Sequence, residues 1–150
     1  MNFAYQVSEL VPHSGKMSLL SRILDHGDGW LRAEVEISPN SLFAEECGVP
    51  AWIGLEYMAQ TIAAYAGLQE RLAGKAPKIG FLLGTRKYTT SADYFVPGQT
   101  LTIRAEIEMV ADNGLNVFNC EIQGKNVQAQ AVVNVFQPDD AEKFLAEALA

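Results

Sequence analysis

A chain of 150 residues with 49% apolar residues suits a single domain, residues 1–150, able to bury about 70% of its unfolded surface. A net charge of −7, with no dense Lys/Arg run, excludes the basic face that nucleic-acid binding needs. Two cysteines, Cys47 and Cys120, are too few for a disulfide framework, so reduced thiols in a cytoplasmic protein are expected.

The first ten residues lack a charged segment followed by an apolar run, so no secretory signal is expected. Leu19–Asp25 predicts a strand, and His26-Gly27-Asp28-Gly29 predicts a turn. Trp30–Ile37 then alternates, with Leu31, Ala33, Val35 and Ile37 set against Arg32, Glu34 and Glu36, which completes a hairpin. After an irregular stretch to Pro50, a helical pattern runs from Ala51 to about Leu72, where Gly74 and Pro77 stop it. Ala59, Ala63 and Gly67 share one face of that helix and invite a close-lying backbone. Strands follow at Ile79–Thr89, Thr100–Val110, Leu115–Ile122 and Val127–Phe136, with turns at Asp112-Asn113-Gly114 and Gly124-Lys125-Asn126. Pro138-Asp139-Asp140 caps a short helix from Ala141 to about Leu149.

The fold class is α+β. The long helix is apolar nearly all round, so it must be wrapped on several sides, and Glu56 and Gln60 make it too polar to span a membrane well. A curved antiparallel sheet around one central helix meets that need; the pattern alone gives α+β. The exposed strand edge of such a sheet predicts at least a dimer.

Glu56 is the one charged side chain between Ala51 and Gln69. A carboxylate in apolar surroundings is costly to desolvate, and such groups acquire raised pKa values, as a general acid requires. Gln60, one turn on, can hold the carboxyl by a hydrogen bond. The competing reading sends Glu56 to solvent at the helix N-terminus, where the dipole favours it. His13 lies in a stiff segment between Val11-Pro12 and Ser14-Gly15, whereas His26 falls in a turn. If the chemistry needs an imidazole base, His13 is reached by elimination; an ordinary surface histidine is the alternative. Cys47 reads as a small packed residue. Arg86 and Lys87, with Lys75 and Lys78 nearby, form the one local basic concentration, which is either a solvated face or a docking patch. No metal-ligand cluster, P-loop or dinucleotide fingerprint is present, so neither a metal nor another bound cofactor is expected.

Three segments resemble the 3-hydroxyacyl-[acyl-carrier-protein] dehydratases. Val11-Pro12-His13 with Ser18-Leu19-Leu20 and Arg22-Ile23 resembles the family's opening. Pro50, then Gly54-Leu55-Glu56-Tyr57-Met58-Ala59-Gln60, resembles its helix motif, and Phe81, Gly84 and Tyr94-Phe95-Val96-Pro97-Gly98-Gln99-Thr100-Leu101 resemble its later strand entry. Where the housekeeping enzymes carry His-Phe-Pro with the catalytic histidine, this chain has Leu42-Phe43-Ala44. It is most similar to the divergent dehydratases of bacterial aryl-polyene clusters.

The resemblance implies the hot-dog fold, and dehydration of a 3-hydroxyacyl thioester held on the phosphopantetheine of an acyl carrier protein. It implies His13 as base, Glu56 as acid, Gln60 as support, and the backbone N–H at Ala51, a glycine in the relatives, as donor to the thioester carbonyl. Arg86 and Lys87 become the candidate docking patch for the carrier protein. A homodimer or a heterodimer with a second hot-dog subunit is implied. The alternatives are a hot-dog thioesterase and a non-catalytic subunit that partners an active dehydratase.

Overall fold

The structure is a computed structural model that describes residues 6–10, 18–74 and 81–136, with the backbone alone at 81–83. His13, Lys75, Lys78 and the expected C-terminal helix lie outside the described residues.

β1 (Arg22–Gly27) and β2 (Trp30–Glu36) form the expected antiparallel hairpin, with Gly29 at φ +79° in the turn. β1 starts three residues later than expected, and the Leu19 N–H bonds the Gln60 side chain, 2.9 Å away, instead of a neighbouring strand. β3 (Val49–Pro50) follows, then a 3-10 turn over Ala51–Ile53, and α2 occupies Gly54–Leu72. It stops where Gly74 takes φ +75°, a conformation glycine adopts without penalty.

β4 (Phe81–Thr90), β6 (Thr100–Val110), β7 (Leu115–Gly124) and β8 (Val127–Phe136) complete a six-stranded antiparallel sheet in the order β1-β2-β6-β7-β8-β4. A two-residue strand that the sequence pattern does not predict, β5 (Tyr94–Phe95), pairs with β3 as a separate small sheet.

Alternation decides which face of the sheet is buried. Leu31, Ala33 and Val35 of β2 and Leu101, Ile103 and Ala105 of β6 point at α2 and are buried, while their neighbours reach outward. On the outer face the Arg32 guanidinium bonds both Asp25 carboxylate oxygens at 2.6 Å, and Arg104 lies 5.1 Å from the centre of the Trp30 ring. The helix turns Met58, Ile62, Ala64 and Leu68 into the core. Complete burial of a Met or Leu side chain contributes about 1.5–3 kcal/mol, so this helix–sheet contact is a main source of stability. The result is the hot-dog fold: a sheet curved over one central helix.

The stripe of small residues finds its partner at its last position. The short helix α1 (Val7–Leu10) crosses α2 so closely that a Cβ at Gly67 would fall on the Leu10 carbonyl oxygen. Arg71 Nε donates to the Glu9 carbonyl at 2.9 Å and ties the same crossing.

Candidate active site

The site is built on the first two turns of α2. Glu56 is half-buried there, and Gln60, one turn later, is completely buried. The Gln60 Nε2 donates to Glu56 Oε1 at 3.2 Å, and its Oε1 accepts the Leu19 N–H. Both ends of the amide are engaged, so the Gln60 side chain cannot swing away without leaving buried polar groups unpaired. Gln60 thus joins the helix carboxyl to the opening segment, six residues after His13 in the sequence. The expected Gln60 contact is present. His13 lies outside the described residues; the histidine that is described, His26, is exposed on β1.

The Ala51 amide, expected as a donor to the thioester carbonyl, has a backbone partner. Its N–H donates to the Asp93 carbonyl at 2.8 Å, so it is not free to receive a substrate oxygen. The segment is not an open helix terminus: β3 pairs with β5, and that pairing brings Asp93 onto the amide. The Ala51 carbonyl is engaged as well, by the Gly54 N–H and by the Tyr88 hydroxyl.

A cavity of about 400 Å³ is walled by Leu19, Val35, Leu42, Phe43, Ala44 and Tyr57 among others; it reaches α2 at Tyr57, and Glu56 does not line it. Leu42-Phe43-Ala44, the segment that replaces His-Phe-Pro, therefore forms one wall. Phe43 holds a positive φ of 67°, uncommon for an aromatic residue, and its ring packs at 6.2 Å against Trp52. Both rings are largely exposed, at 48% and 64%. Tyr57 is 2% exposed and packs at 5.9 Å against Phe95, and burial pushes its phenol well above the usual range.

Arg86 and Lys87 are exposed at a β-bulge of β4, with Lys87 at φ +54°. Lys87 also borders a groove with Arg104, Glu106 and Glu121, so the charge around it is mixed rather than uniformly basic. Cys47 is exposed, not packed as expected, while Cys120 is buried; both are free thiols. Among the described residues no three His, Cys, Asp or Glu side chains stand close enough to hold a metal, and no helix is long and apolar enough to cross a membrane.

Tyr57 and Tyr88 were not singled out by the sequence pattern. Tyr57 sits inside the helix motif as an ordinary aromatic. The available signal for Tyr88 was the run Arg86-Lys87, two consecutive charged residues that interrupt strand alternation and so mark the bulge.

Residues 5–146 match the ApeP-like family, described as ApeP dehydratase. The chain belongs to the ApeP-like dehydratase family. This is the divergent, aryl-polyene type that the three sequence segments indicate. The ApeP-like chain is similar to the dehydratase heterocomplex ApeI:P from Xenorhabdus doucetiae, with 26% identity and a TM-score of 0.86 over 96% of this chain and 98% of that one. A hypothetical thioesterase with coenzyme A from Streptococcus pneumoniae shares the fold at 14% identity and a TM-score of 0.61, covering 77% of this chain and 84% of that one. A sigma28-regulated virulence protein from Campylobacter jejuni shares it at 15% identity and a TM-score of 0.59, covering 89% and 88%. No curated protein matches the ApeP-like chain.

Proposed function

We propose that this ApeP-like dehydratase removes water from 3-hydroxyacyl thioesters carried on an acyl carrier protein, giving trans-2-enoyl thioesters in aryl-polyene or fatty-acid-like biosynthesis. The observation that carries this reading is the buried Gln60 amide, which joins the Glu56 carboxyl to the opening segment. His13 takes the proton from C2, whose acidity comes from the thioester carbonyl. The electron pair of that C–H bond forms the C2–C3 double bond, the C3–O bond breaks, and the Glu56 carboxyl protonates the departing hydroxyl to release water. Enolate charge on the carbonyl oxygen needs a donor. With the Ala51 N–H spent on Asp93, we assign that donor to the N–H of Trp52, since in a 3-10 turn bonded i to i+3 the acceptor-seeking amides lie at its start.

The substrate arrives on phosphopantetheine, so the protein itself holds no cofactor, and Arg86 and Lys87 are the docking residues for the carrier protein. The partner is a second hot-dog subunit, a reading supported by the similarity to a heterocomplex. Its compartment is the cytoplasm, in keeping with two free thiols.

A second reading, a non-catalytic subunit that supports an active partner, is favoured by Leu42, a cavity-lining residue that stands in the sequence where the resemblance to the housekeeping enzymes places histidine. One assay separates the two. A carrier-bound 3-hydroxyacyl thioester is incubated with wild type, His13→Ala and Glu56→Gln, alone and with any copurifying subunit, and followed by intact-protein mass spectrometry. Loss of one water that both substitutions suppress supports catalysis by this chain. Water loss that appears only with the partner and survives both substitutions supports the non-catalytic reading. Free acid would identify a thioesterase instead.

A further inference from the structure

We propose that Tyr88 is a positioning residue of this site, its hydroxyl holding the turn from which α2, and with it Glu56, begins. The inference rests on the dehydratase reading only for its catalytic consequence.

β4 would ordinarily alternate its side chains along the sheet. Between Arg86 and Thr89 it contains one residue more than the facing stretch of β8, from Val132 to Gln130. Lys87 absorbs the irregularity at φ +54°. Bulges re-aim side chains, and here the side chain of Tyr88, the next residue of β4, reaches the turn before the helix. Its hydroxyl donates to the Ala51 carbonyl. The Ala51 N–H is held by the Asp93 carbonyl, so the two successive peptide groups that flank the Ala51 Cα are gripped by two segments distant in sequence.

Gly54 gives independent evidence of how tightly the phenol is seated. A Cβ there would run into the Tyr88 hydroxyl, with Ile122 at 3.0 Å and Phe95 at 3.2 Å closing the space behind it. The first residue of α2 is therefore glycine because Tyr88 occupies the room a side chain would need. Burial also pushes the Tyr88 phenol up to about 12, so it remains a protonated donor across the working pH range. Glu56 lies two residues beyond Gly54, within the same first turn.

Removing the hydroxyl while keeping the ring, as Tyr88→Phe, should release the turn without emptying the core. The full chain, with its partner subunit where the two copurify, is compared with wild type by hydrogen exchange and by turnover. We expect amide exchange to quicken about tenfold in residues 51–56 and to stay unchanged in β6–β8. We expect kcat to fall by about tenfold with KM held, because small misplacements of a catalytic group are expensive. Gly54→Ala should reproduce the local loosening, and the two changes together should cost less than their sum, since both remove the same contact. Wild-type exchange over 51–56 in Tyr88→Phe would overturn the proposal. So would faster exchange across the whole sheet with kcat and KM changing together, which would mark Tyr88 as packing alone. If wild type itself shows no dehydration, the functional reading fails and the exchange result alone decides the role of Tyr88.

Discussion

Gln60 lies one helical turn beyond Glu56, completely buried, with its amide nitrogen 3.2 Å from the Glu56 carboxylate and its amide oxygen 2.9 Å from the Leu19 N–H. Two elements 41 residues apart are fastened by one side chain. Gln60→Leu keeps the volume and removes both bonds. It should cost about 1–3 kcal/mol in urea unfolding, the usual penalty for orphaning buried polar groups. In turnover, Glu56→Gln should lower kcat by about 10²–10⁴-fold, and Gln60→Leu should cost less because the carboxyl itself remains.

Gly67→Ala should destabilise the chain by about 1–3 kcal/mol, the range for overpacking, because the added methyl meets the Leu10 carbonyl oxygen. The damage should be local. Limited proteolysis should cut near α1 first, while the sheet strands stay protected. Early cleavage within β6–β8 would instead show that the crossing supports the whole core.

Charge reversal at Arg86 and Lys87 tests docking. The double change to Glu should lower turnover on carrier-bound substrate about tenfold at low salt, with the gap narrowing as added salt screens the surface. A free thioester mimic should turn over as before. Equal losses on both substrates would remove these residues from docking.

Asp25 provides a pH signature. The hydrogen bonds from Arg32 hold its carboxyl below the ordinary carboxylate value. A depressed folded pKa stabilises the protein above the unfolded value of about 3.9 and loses that contribution as pH falls through the folded value. Both side chains are about 40% exposed, so solvent screening keeps the effect within about 1 kcal/mol. Asp25→Asn should be slightly less stable than wild type at pH 7, and the difference should vanish near pH 2. A difference of equal size at both pH values would point to packing.

Thiol chemistry should split the two cysteines. Cys47 is exposed, whereas Cys120 is 1% exposed and burial pushes its thiol up to about 12. Iodoacetamide at pH 8 should alkylate Cys47 in the native protein and reach Cys120 only after unfolding, as peptide mass spectrometry would read. Rapid native labelling of Cys120 would contradict the packing of β7 against the helix.

Much of this architecture was legible in the residues. β2 and β6 alternate because one face meets α2 and the other meets water, and that asymmetry is written directly into Leu31-Arg32-Ala33-Glu34 and Leu101-Thr102-Ile103-Arg104. Glu56 and Gln60 were visible as polar residues in an apolar helix, and the four-residue spacing predicted their contact. Pairing between distant segments was not visible. β3 and β5 are two residues each, too short to carry any period. The commitment of the Ala51 amide depends on Asp93, 42 positions away, and no local pattern announces it. The small-residue face of α2 predicted a close neighbour without saying that α1 would supply it.

The edge strand β4 carries the same kind of irregularity twice, one extra residue between Leu82 and Gly84 and another between Arg86 and Thr89. A regular edge is a template on which further strands can be copied without end, the route to open-ended fibres. A ladder that changes phase twice in ten residues offers no such repeat. The irregularities that aim Tyr88 inward thus also restrict which strand can lie alongside β4, favouring a single matched neighbour over an indefinite stack of copies.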